Sequence, residues 1–341
     1  MMFNLDKCYI ISEIGVNHGG CMETAKKMIK ASKKAGANAV KFQTFTAETL
    51  VSKGTLKVGY QKLTTDNDES HFDMIKNLEF KRDDHLPIIN YCQSLDIDFI
   101  STPYDIESAH FLDQLGVEIF KTASADIIDL PLHEFLASTG KSVIISTGMA
   151  TLGEIELVLD IYRRNDNDNI VLLHCVSNYP CEFDSLNLRV IQTLYHSFHV
   201  PVGYSDHAKG VYPAVISLAL GAKVIEKHFT LDRGMSGPDH KASSTPKEFK
   251  ALVEAIRIAE ISLGSPVKRV QDEEVQMRLV SRKSLFLAKN ITKNTLIFES
   301  DLILKRPGTG LSADLISKIV GTKALRTLKQ GEMIQYGDFS Q

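Results

Sequence analysis

Eight short runs of apolar, β-branched residues recur along the first three quarters of the chain and alternate with segments of helical periodicity. The runs span 8–14, 39–42, 99–101, 118–121, 142–146, 170–174, 201–204 and 224–229. In the intervening segments, such as 24–35 and 154–163, apolar residues recur at spacings of three and four, which is typical of amphipathic helices. Alternating strands and helices favour a parallel sheet, and eight such units in about 250 residues predict an α/β fold of the closed (β/α)8 TIM-barrel type rather than an open sheet.

The chain has 341 residues, more than one hydrophobic core normally supports. We therefore expect a TIM-barrel catalytic domain over 1–265, a charged helical linker over 266–281 and a small C-terminal domain over 282–341. The last segment contains short strand-like runs at 284–288, 301–304 and 333–334 and a helix near 313–319. A domain this small buries little apolar surface alone, so we expect it to dock on a partner surface.

One connection breaks the regular spacing of the barrel. Residues 45–83 join the second strand to the next main helix and include the polar stretch 64–68. A connection of this length is usually a lid or an insertion.

Charge and cysteine content exclude several classes of protein. Lys plus Arg (39) nearly balances Asp plus Glu (42), so the sequence predicts no binding to nucleic acid or membrane. Charged residues near the N-terminus argue against a signal peptide, the apolar stretch 211–225 is too short to span a bilayer, and we expect a cytoplasmic protein. Five cysteines without a C-x-x-C pair predict reduced, mostly buried thiols rather than disulfides or a structural zinc site.

Polar residues close every predicted strand, at the end of a barrel where catalytic groups project. Two of them, Lys41 and Lys121, are cationic. Hydroxyl groups accompany them at Thr102, Ser124, Ser146 and Ser205. This combination suits a phosphate together with a carboxylate. The alternative is that the lysines extend along the barrel rim and the serines bond loop backbone.

Two histidines, His207 and His228, close adjacent strands, and Glu13 on the first strand comes next in a closed ring. Paired imidazoles with open positions favour Mn, Fe, Co or Zn over Mg or Ca, although each histidine could instead be a hydrogen-bonded structural residue. A metal ion here would polarise an aldehyde or ketone. These residues alone predict a metal-assisted enzyme that binds a small anion and a carbonyl compound, without deciding whether it condenses, cleaves or isomerises.

Nine motifs in these strand ends and loops match one family in order along almost the whole chain. They are EIGVNH at 13–18, VKFQT at 40–44, ISTP at 100–103, ISTGM at 145–149, LHC at 173–175, YSDH at 204–207, IEKHFT at 225–230, GPDH at 237–240 and KRPG at 305–308. The chain thereby resembles the sialic acid synthase family, the phosphoenolpyruvate-dependent enzymes that make N-acetylneuraminate and the legionaminic and pseudaminic acids. Its C-terminal segment resembles the antifreeze-like (SAF) domain, which in this family crosses to the other subunit of a homodimer.

The resemblance implies a role for individual residues. Phosphoenolpyruvate would be held by Lys41, Thr102, Lys121, Ser124, Ser146 and Ser205. The divalent ion, typically manganese with Mg or Co as alternatives, would be held by His207 and His228. The sugar would contact Glu13, Gln43, Asp126, Tyr179, Asp239 and, from the neighbouring subunit, Arg306. Proton transfer would fall to Glu13 or Glu226.

The implied reaction is a carbon–carbon bond-forming transfer that joins phosphoenolpyruvate to an N-acylated mannose and releases phosphate. Two positions depart from the family pattern, because Asp126 replaces a glutamate and Ser177 replaces an asparagine or threonine. The GPDH motif favours N-acetylneuraminate made from N-acetylmannosamine, with N,N'-diacetyllegionaminate made from 2,4-diacetamido-2,4,6-trideoxymannose as the alternative. Weaker alternatives are another metal-dependent barrel of the aldolase type and a non-catalytic carbohydrate- or ice-binding protein.

Overall fold

The computed structural model describes residues 5–57, 61, 65 and 68–340 of the chain. The chain divides into two compact units, Met1–Gly264 and Ser265–Gln341. In the first unit eight parallel strands close into a barrel in sequence order, which confirms the predicted (β/α)8 fold. The strands are β1 Tyr9–Gly15, β2 Ala39–Thr44, β3 Asp98–Pro103, β4 Ile119–Thr122, β5 Ser142–Ser146, β6 Ile170–His174, β7 Val202–Asp206 and β8 Val224–His228.

Helices connect the strands. Among the described residues they are α1 Met22–Ala35, α2 Ala47–Leu50, α3 His71–Leu78, α4 Arg82–Ser94, α5 Ile106–Gln114, α6 Leu130–Ser138, α7 Leu152–Arg164, α8 Val190–Phe198, α9 Tyr212–Ala219 and α10 Pro246–Leu263. Local signals set several ends. Thr151 and Glu154 form a capping box at the start of α7, and Gly36 ends α1 with a φ of 97°, a backbone conformation that glycine adopts readily.

The interior of the barrel is an apolar layer that becomes polar toward the carboxyl ends of the strands. Tyr9, Ile11, Ala39, Ile119 and Val224 belong to the cluster that fills this interior. Side chains alternate across a strand with a period of two, so the next inward positions are polar. They are Glu13 after Ile11, Lys41 after Ala39, Lys121 after Ile119 and Glu226 after Val224. The opposite strand faces pack on the helices in a larger apolar core.

The long connection between β2 and α4 folds partly into α2 and α3. Both helices contribute to a separate apolar cluster, which joins Val16, Phe45, Met74 and Leu78 with the half-buried Leu50, Ile75 and Tyr104. Part of the predicted insertion, including most of 62–67, lies outside the described residues. The described part is therefore an insertion with its own small core beside the barrel mouth.

The second unit contains helix α11 Val275–Ser281, strands β9 Ser284–Leu287 and β10 Leu302–Lys305, and helix α12 Ile316–Ile319. The two strands pair antiparallel, and Phe286 also bridges to Met333, which matches the three strand-like runs in the sequence. Its own core includes Leu285, Leu287, Ile297 and Leu328. The helix at the linker starts after the charged stretch 268–274, most of which is not α-helical.

All five cysteines lie among the described residues and are free thiols, with Cys21 exposed and the other four buried, as the sequence predicts. None of the described helices combines the length and the apolar character that crossing a bilayer requires.

Candidate active site

A cavity of about 350 Å³ opens at the carboxyl ends of the barrel strands. Its volume is within the range of small-molecule sites. Most of the side chains that the sequence singles out line it. They are Glu13, Lys41, Gln43, Lys121, Ser124, Ser146, Tyr179, Ser205, His207, Glu226, His228 and Asp239.

Lys41 is the centre of a buried polar network on β1, β2 and β3. Its Nζ lies 2.8 Å from Glu13 Oε2 and donates to Thr102 Oγ1 at 3.3 Å. Gln43 Nε2 donates to the other Glu13 oxygen at 3.2 Å. Burial lowers the pKa of Lys41, but the neighbouring Glu13 and Glu226 carboxylates outweigh it and leave the pKa above its usual value. Lys41 is therefore a charged ammonium held in place by its neighbours.

Lys121 supplies the second buried cation. Its Nζ donates to Ser146 Oγ at 2.6 Å and to the Thr122 carbonyl at 3.0 Å, and it lies 3.8 Å from Glu226. Burial and the like charge of Lys41 lower the pKa of Lys121. An anion placed between the two ammonium groups would relieve this repulsion, so the network favours an anionic ligand.

The two buried glutamates have different electrostatic environments. Burial raises the pKa of Glu13 in spite of the Lys41 ammonium. Burial also opposes ionisation of Glu226, but the charges of Lys121 and Lys41 prevail and hold its pKa below the usual range. Ser205 Oγ donates to Glu226 at 2.9 Å, which further favours the carboxylate. Two carboxyl groups whose pKa values are shifted in opposite directions are typical of sites in which one group transfers a proton and the other stays ionised.

Ser124 belongs to a contact that the sequence alone does not reveal. Its Oγ accepts the Gly148 N–H at 3.0 Å and lies 3.1 Å from the sulfur of Cys175. A Cβ added to Gly148 would lie 2.5 Å from Ser177 Oγ and 2.9 Å from both Cys175 Sγ and Ser124 Oγ. Gly148 is thus required for close packing of the backbone against three side chains of the site.

The two histidines fit a metal ion. Their ring centroids are 5.6 Å apart. His207 Nδ1 donates to the Val176 carbonyl at 2.7 Å, so that in the neutral ring Nε2 keeps its lone pair. His228 Nδ1 is buried without a hydrogen-bond partner. Burial lowers the pKa of His207 to about 4 and that of His228 well below its usual value, so both rings are in the neutral form that binds metals.

The rest of a coordination shell would have to come from water or substrate. Within the described part of the chain, no cluster of three or more His, Cys, Asp or Glu side chains is arranged to hold a metal ion. Coordination positions that are open to water or substrate are typical of catalytic rather than structural metal sites. The orphaned His228 nitrogen is the observation that favours a ligand at this point of the cavity.

The remaining predicted site residues are less closely grouped. Thr102 is buried behind Lys41, and Asp126 accepts the N–H of Ala123 at 3.2 Å in its own turn. Burial raises the pKa of Asp126 and of Asp239 to about 6. Arg306 is exposed in the second unit, where its Nε donates to the Ser281 carbonyl at 3.0 Å. The predicted sugar contacts of Asp126 and Arg306 remain predictions.

One side of the cavity is apolar, and sequence reasoning missed it. We call it the apolar wall, and its members are Val16, Phe45, Leu50, Met74, Ile75, Leu78 and Tyr104. Every member of the separate apolar cluster therefore faces the cavity. The signal available in the sequence is the spacing of Met74, Ile75 and Leu78 along one helix in the long connection.

Comparison with known proteins is consistent with this geometry. The NeuB family model matches residues 28–268, and the SAF domain model matches 282–340. N,N'-diacetyllegionaminic acid synthase of Legionella pneumophila is 44% identical over 95% of this chain and 92% of its own. The Campylobacter jejuni protein of the same name is 42% identical over 97% of this chain and 100% of its own.

A solved structure shows the same fold. The N-acetylneuraminic acid (sialic acid) synthetase of Leptospira borgpetersenii, crystallised in complex with citrate, superposes with a TM-score of 0.72 at 35% identity. The match covers 80% of this chain and 91% of that one. The family model covers more than half of the chain, and the relatives align over nearly their full lengths. The chain is therefore an enzyme of the NeuB family, the sialic acid synthases, and carries a SAF domain at its C-terminal end.

Proposed function

We propose that the protein condenses phosphoenolpyruvate with an N-acylated mannose-type sugar and releases phosphate. The observation that carries this proposal is a single cavity in which two buried ammonium groups, Lys41 and Lys121, lie with serine hydroxyls beside the paired His207 and His228. Such a site matches one substrate with phosphate and carboxylate groups and a second substrate with a carbonyl group.

The chain's own residues would divide the work as follows. Lys41 and Lys121 bind the anionic groups of phosphoenolpyruvate, Ser146 completes the contacts as a neutral donor, and Ser205 can do so when its hydroxyl turns away from Glu226. Thr102 fixes the Lys41 ammonium from behind. C3 of phosphoenolpyruvate then attacks the sugar aldehyde, water adds at C2, and the tetrahedral adduct loses phosphate. A divalent ion, which we propose to be manganese, would be held by His207 and His228 and would supply Lewis-acid polarisation of the aldehyde.

We assign proton transfer to Glu13 rather than to Glu226. Glu226 accepts a hydrogen bond from the Ser205 hydroxyl and lies within 4 Å of both lysines. It therefore belongs to the anion-binding floor, by which we mean Lys41, Lys121 and the polar groups around them at the strand ends. Glu13 faces the cavity from the neighbouring strand, and although each glutamate has one oxygen without a hydrogen bond, burial raises the pKa of Glu13 whereas the two lysines hold that of Glu226 low. A group in that position can exchange a proton with substrate.

The sugar that we propose is 2,4-diacetamido-2,4,6-trideoxymannose, which would give N,N'-diacetyllegionaminate. Two relatives at 44% and 42% identity carry that name, whereas the sialic acid synthetase structure is 35% identical. N-acetylmannosamine, the sugar that the sequence analysis favours, is the second candidate. Among the described lining residues Lys41 and Lys121 are the only cations, and both are needed for phosphoenolpyruvate, so a sugar phosphate is disfavoured.

One assay tests the function. Phosphate release from phosphoenolpyruvate is measured with Mn²⁺ and, in turn, N-acetylmannosamine, its 6-phosphate and the diacetamido sugar, and each product is identified by mass. We expect the highest kcat/KM with the diacetamido sugar and none with phosphoenolpyruvate alone. Equal or higher kcat/KM with N-acetylmannosamine would move the assignment to N-acetylneuraminate. If none of the three sugars promotes phosphate release, the proposed function is refuted.

We also propose that the protein works as a homodimer in which Arg306 reaches the partner's sugar site. Its exposure in a unit separate from the barrel supports this role. Subunits of His207→Ala and Arg306→Ala variants, exchanged by co-refolding, should restore sites with both residues intact. If the mixture never exceeds the activity of Arg306→Ala alone, the arginine does not act across subunits.

A further inference from the structure

We propose that the apolar wall selects a sugar whose C6 is a methyl group over one that carries a hydroxyl or phosphate there. This inference rests on the proposed function and deepens it, because it assigns the choice of sugar to particular side chains. The residues concerned come from α2, α3 and the loops after β1, β2 and β3, and not from the strand ends that hold the charged groups.

The cavity has two chemically different sides. The charged and hydroxyl-bearing residues, such as Lys121, Ser146 and Glu226, project from the strand ends at its floor. The apolar wall faces the same space from α2, α3 and the loops that follow β1, β2 and β3. Polar and apolar walls in one pocket orient a ligand that has a polar end and an apolar end.

The reaction fixes which end of the sugar lies where. C1 of the open-chain sugar must reach the floor, because the new bond forms there and because the paired imidazoles are there. C6 is the carbon farthest from C1 along the chain. The far end of the sugar is consequently the part that is free to contact the wall.

Burial of the wall makes it sensitive to the group at C6. Met74 is 2% exposed and Leu78 is 8% exposed, while Ile75 and Leu50 are half-buried and accessible from the cavity. A methyl group packed on such a surface gains contact, whereas a hydroxyl loses its water and among these side chains finds a polar group only in the Tyr104 hydroxyl. Apolar pockets discriminate between ligands that differ by one small group by about 10- to 100-fold.

A matched pair of sugars isolates this effect. The substrates are 2,4-diacetamido-2,4,6-trideoxymannose and 2,4-diacetamido-2,4-dideoxymannose, which differ only in the oxygen on C6. The variants are Ile75→Thr and Met74→Gln, and the control is Ile258→Thr on the exposed outer face of α10. For each protein kcat/KM is measured for both sugars, together with KM for phosphoenolpyruvate and the thermal unfolding midpoint.

We expect the unmodified protein to prefer the deoxy sugar by about 10-fold or more. Ile75→Thr should reduce this ratio several-fold with KM for phosphoenolpyruvate unchanged, and Ile258→Thr should leave the ratio unaltered. Because Ile75 is only half-buried, this variant keeps the test decisive if Met74→Gln fails to fold.

The outcomes separate the two proposals. If the unmodified protein uses both sugars equally, or if Ile75→Thr lowers both values of kcat/KM by the same factor, the apolar wall does not discriminate between the groups at C6. The proposed function is unaffected by that result. If no sugar promotes phosphate release, the proposed function fails and this inference fails with it.

Discussion

The Lys41 ammonium lies 2.8 Å from the Glu13 carboxylate, and the two residues are direct neighbours across β1 and β2. Both side chains are buried. Each residue therefore depends on the other, since an unpaired charge at this depth would be costly. The pair links the proposed proton-transfer group to the proposed anion-binding floor, so a change at either residue should be felt by both substrates.

Replacement of Lys41 tests the anion-binding floor. Lys41→Met removes a charge-assisted contact that is typically worth about 1.5–3 kcal/mol, so we expect KM for phosphoenolpyruvate to rise by about 10- to 100-fold. Steady-state phosphate release at varied phosphoenolpyruvate measures this. Lys209→Met, at an exposed lysine in the loop after β7, is the matched control and should leave KM unchanged. An unchanged KM in Lys41→Met would place the phosphate elsewhere.

Removal of one imidazole tests the metal site. His207→Ala should abolish both turnover and tight Mn²⁺ binding while the circular dichroism melting curve stays close to that of the unmodified protein. His196→Ala serves as control, because His196 is exposed on α8 and its Nδ1 bonds the Gln192 carbonyl within the same helix. Full activity after exhaustive chelation, or normal Mn²⁺ binding by His207→Ala, would contradict the assignment.

Two glycines, Gly148 and Gly153, differ in the space available for an added Cβ atom. Gly148→Ala should displace Ser124 and Cys175, destabilise the fold by about 1–3 kcal/mol and lower kcat/KM for phosphoenolpyruvate, because the added Cβ has no room. Gly153→Ala, in the first turn of α7, has open space around its Cβ and should raise stability by about 0.5–1 kcal/mol. Denaturant unfolding and kinetics on both variants check this. Normal kinetics in Gly148→Ala would show that Ser124 is dispensable.

The buried pair of Lys227 and Asp206 should contribute to stability and hold the loop that carries His207. Lys227 Nζ lies 2.7 Å from Asp206 and also donates to the carbonyls of Ala208 and Gly210. Lys227→Met leaves a buried carboxylate uncompensated, which typically costs about 3–5 kcal/mol.

Urea unfolding followed by circular dichroism measures this effect, because the chain has no tryptophan to serve as a fluorescent probe. Lys250→Met provides the comparison, since the ion pair of Lys250 with Glu254 is largely exposed and should leave the unfolding midpoint unchanged. Equal midpoints for the two variants would show that the buried pair is not important for stability.

Sequence patterns predict the barrel and its polar mouth for a simple physical reason. A strand alternates sides with a period of two, so Ile11 facing inward implies that Glu13 also faces inward, one layer nearer the mouth. Closure of the barrel then brings these layers together. The same argument applies to Lys121 and Glu226, and no tertiary information beyond the fold class is needed.

Other parts of the site depend on contacts that no local period encodes. The apolar wall exists because α2 and α3 fold back over the mouth, and the spacing of Met74 and Leu78 does not specify what they face. The need for Gly148 follows from packing against Ser124, Cys175 and Ser177, which are all distant from it in the sequence. The role of Asp126 is implied only by the family resemblance, from which it departs as an aspartate in place of a glutamate, and the structure shows that its carboxylate accepts the Ala123 N–H in its own turn.

Strand β8 closes the barrel against β1 and makes His228 the direct partner of Glu13, although they come from opposite ends of the barrel sequence. A nascent or truncated chain that ends before β8 would contain neither His228 nor Glu226. Such a fragment would lack the proposed activity, so we expect phosphoenolpyruvate to be consumed only by chains in which all eight strands of the barrel have formed.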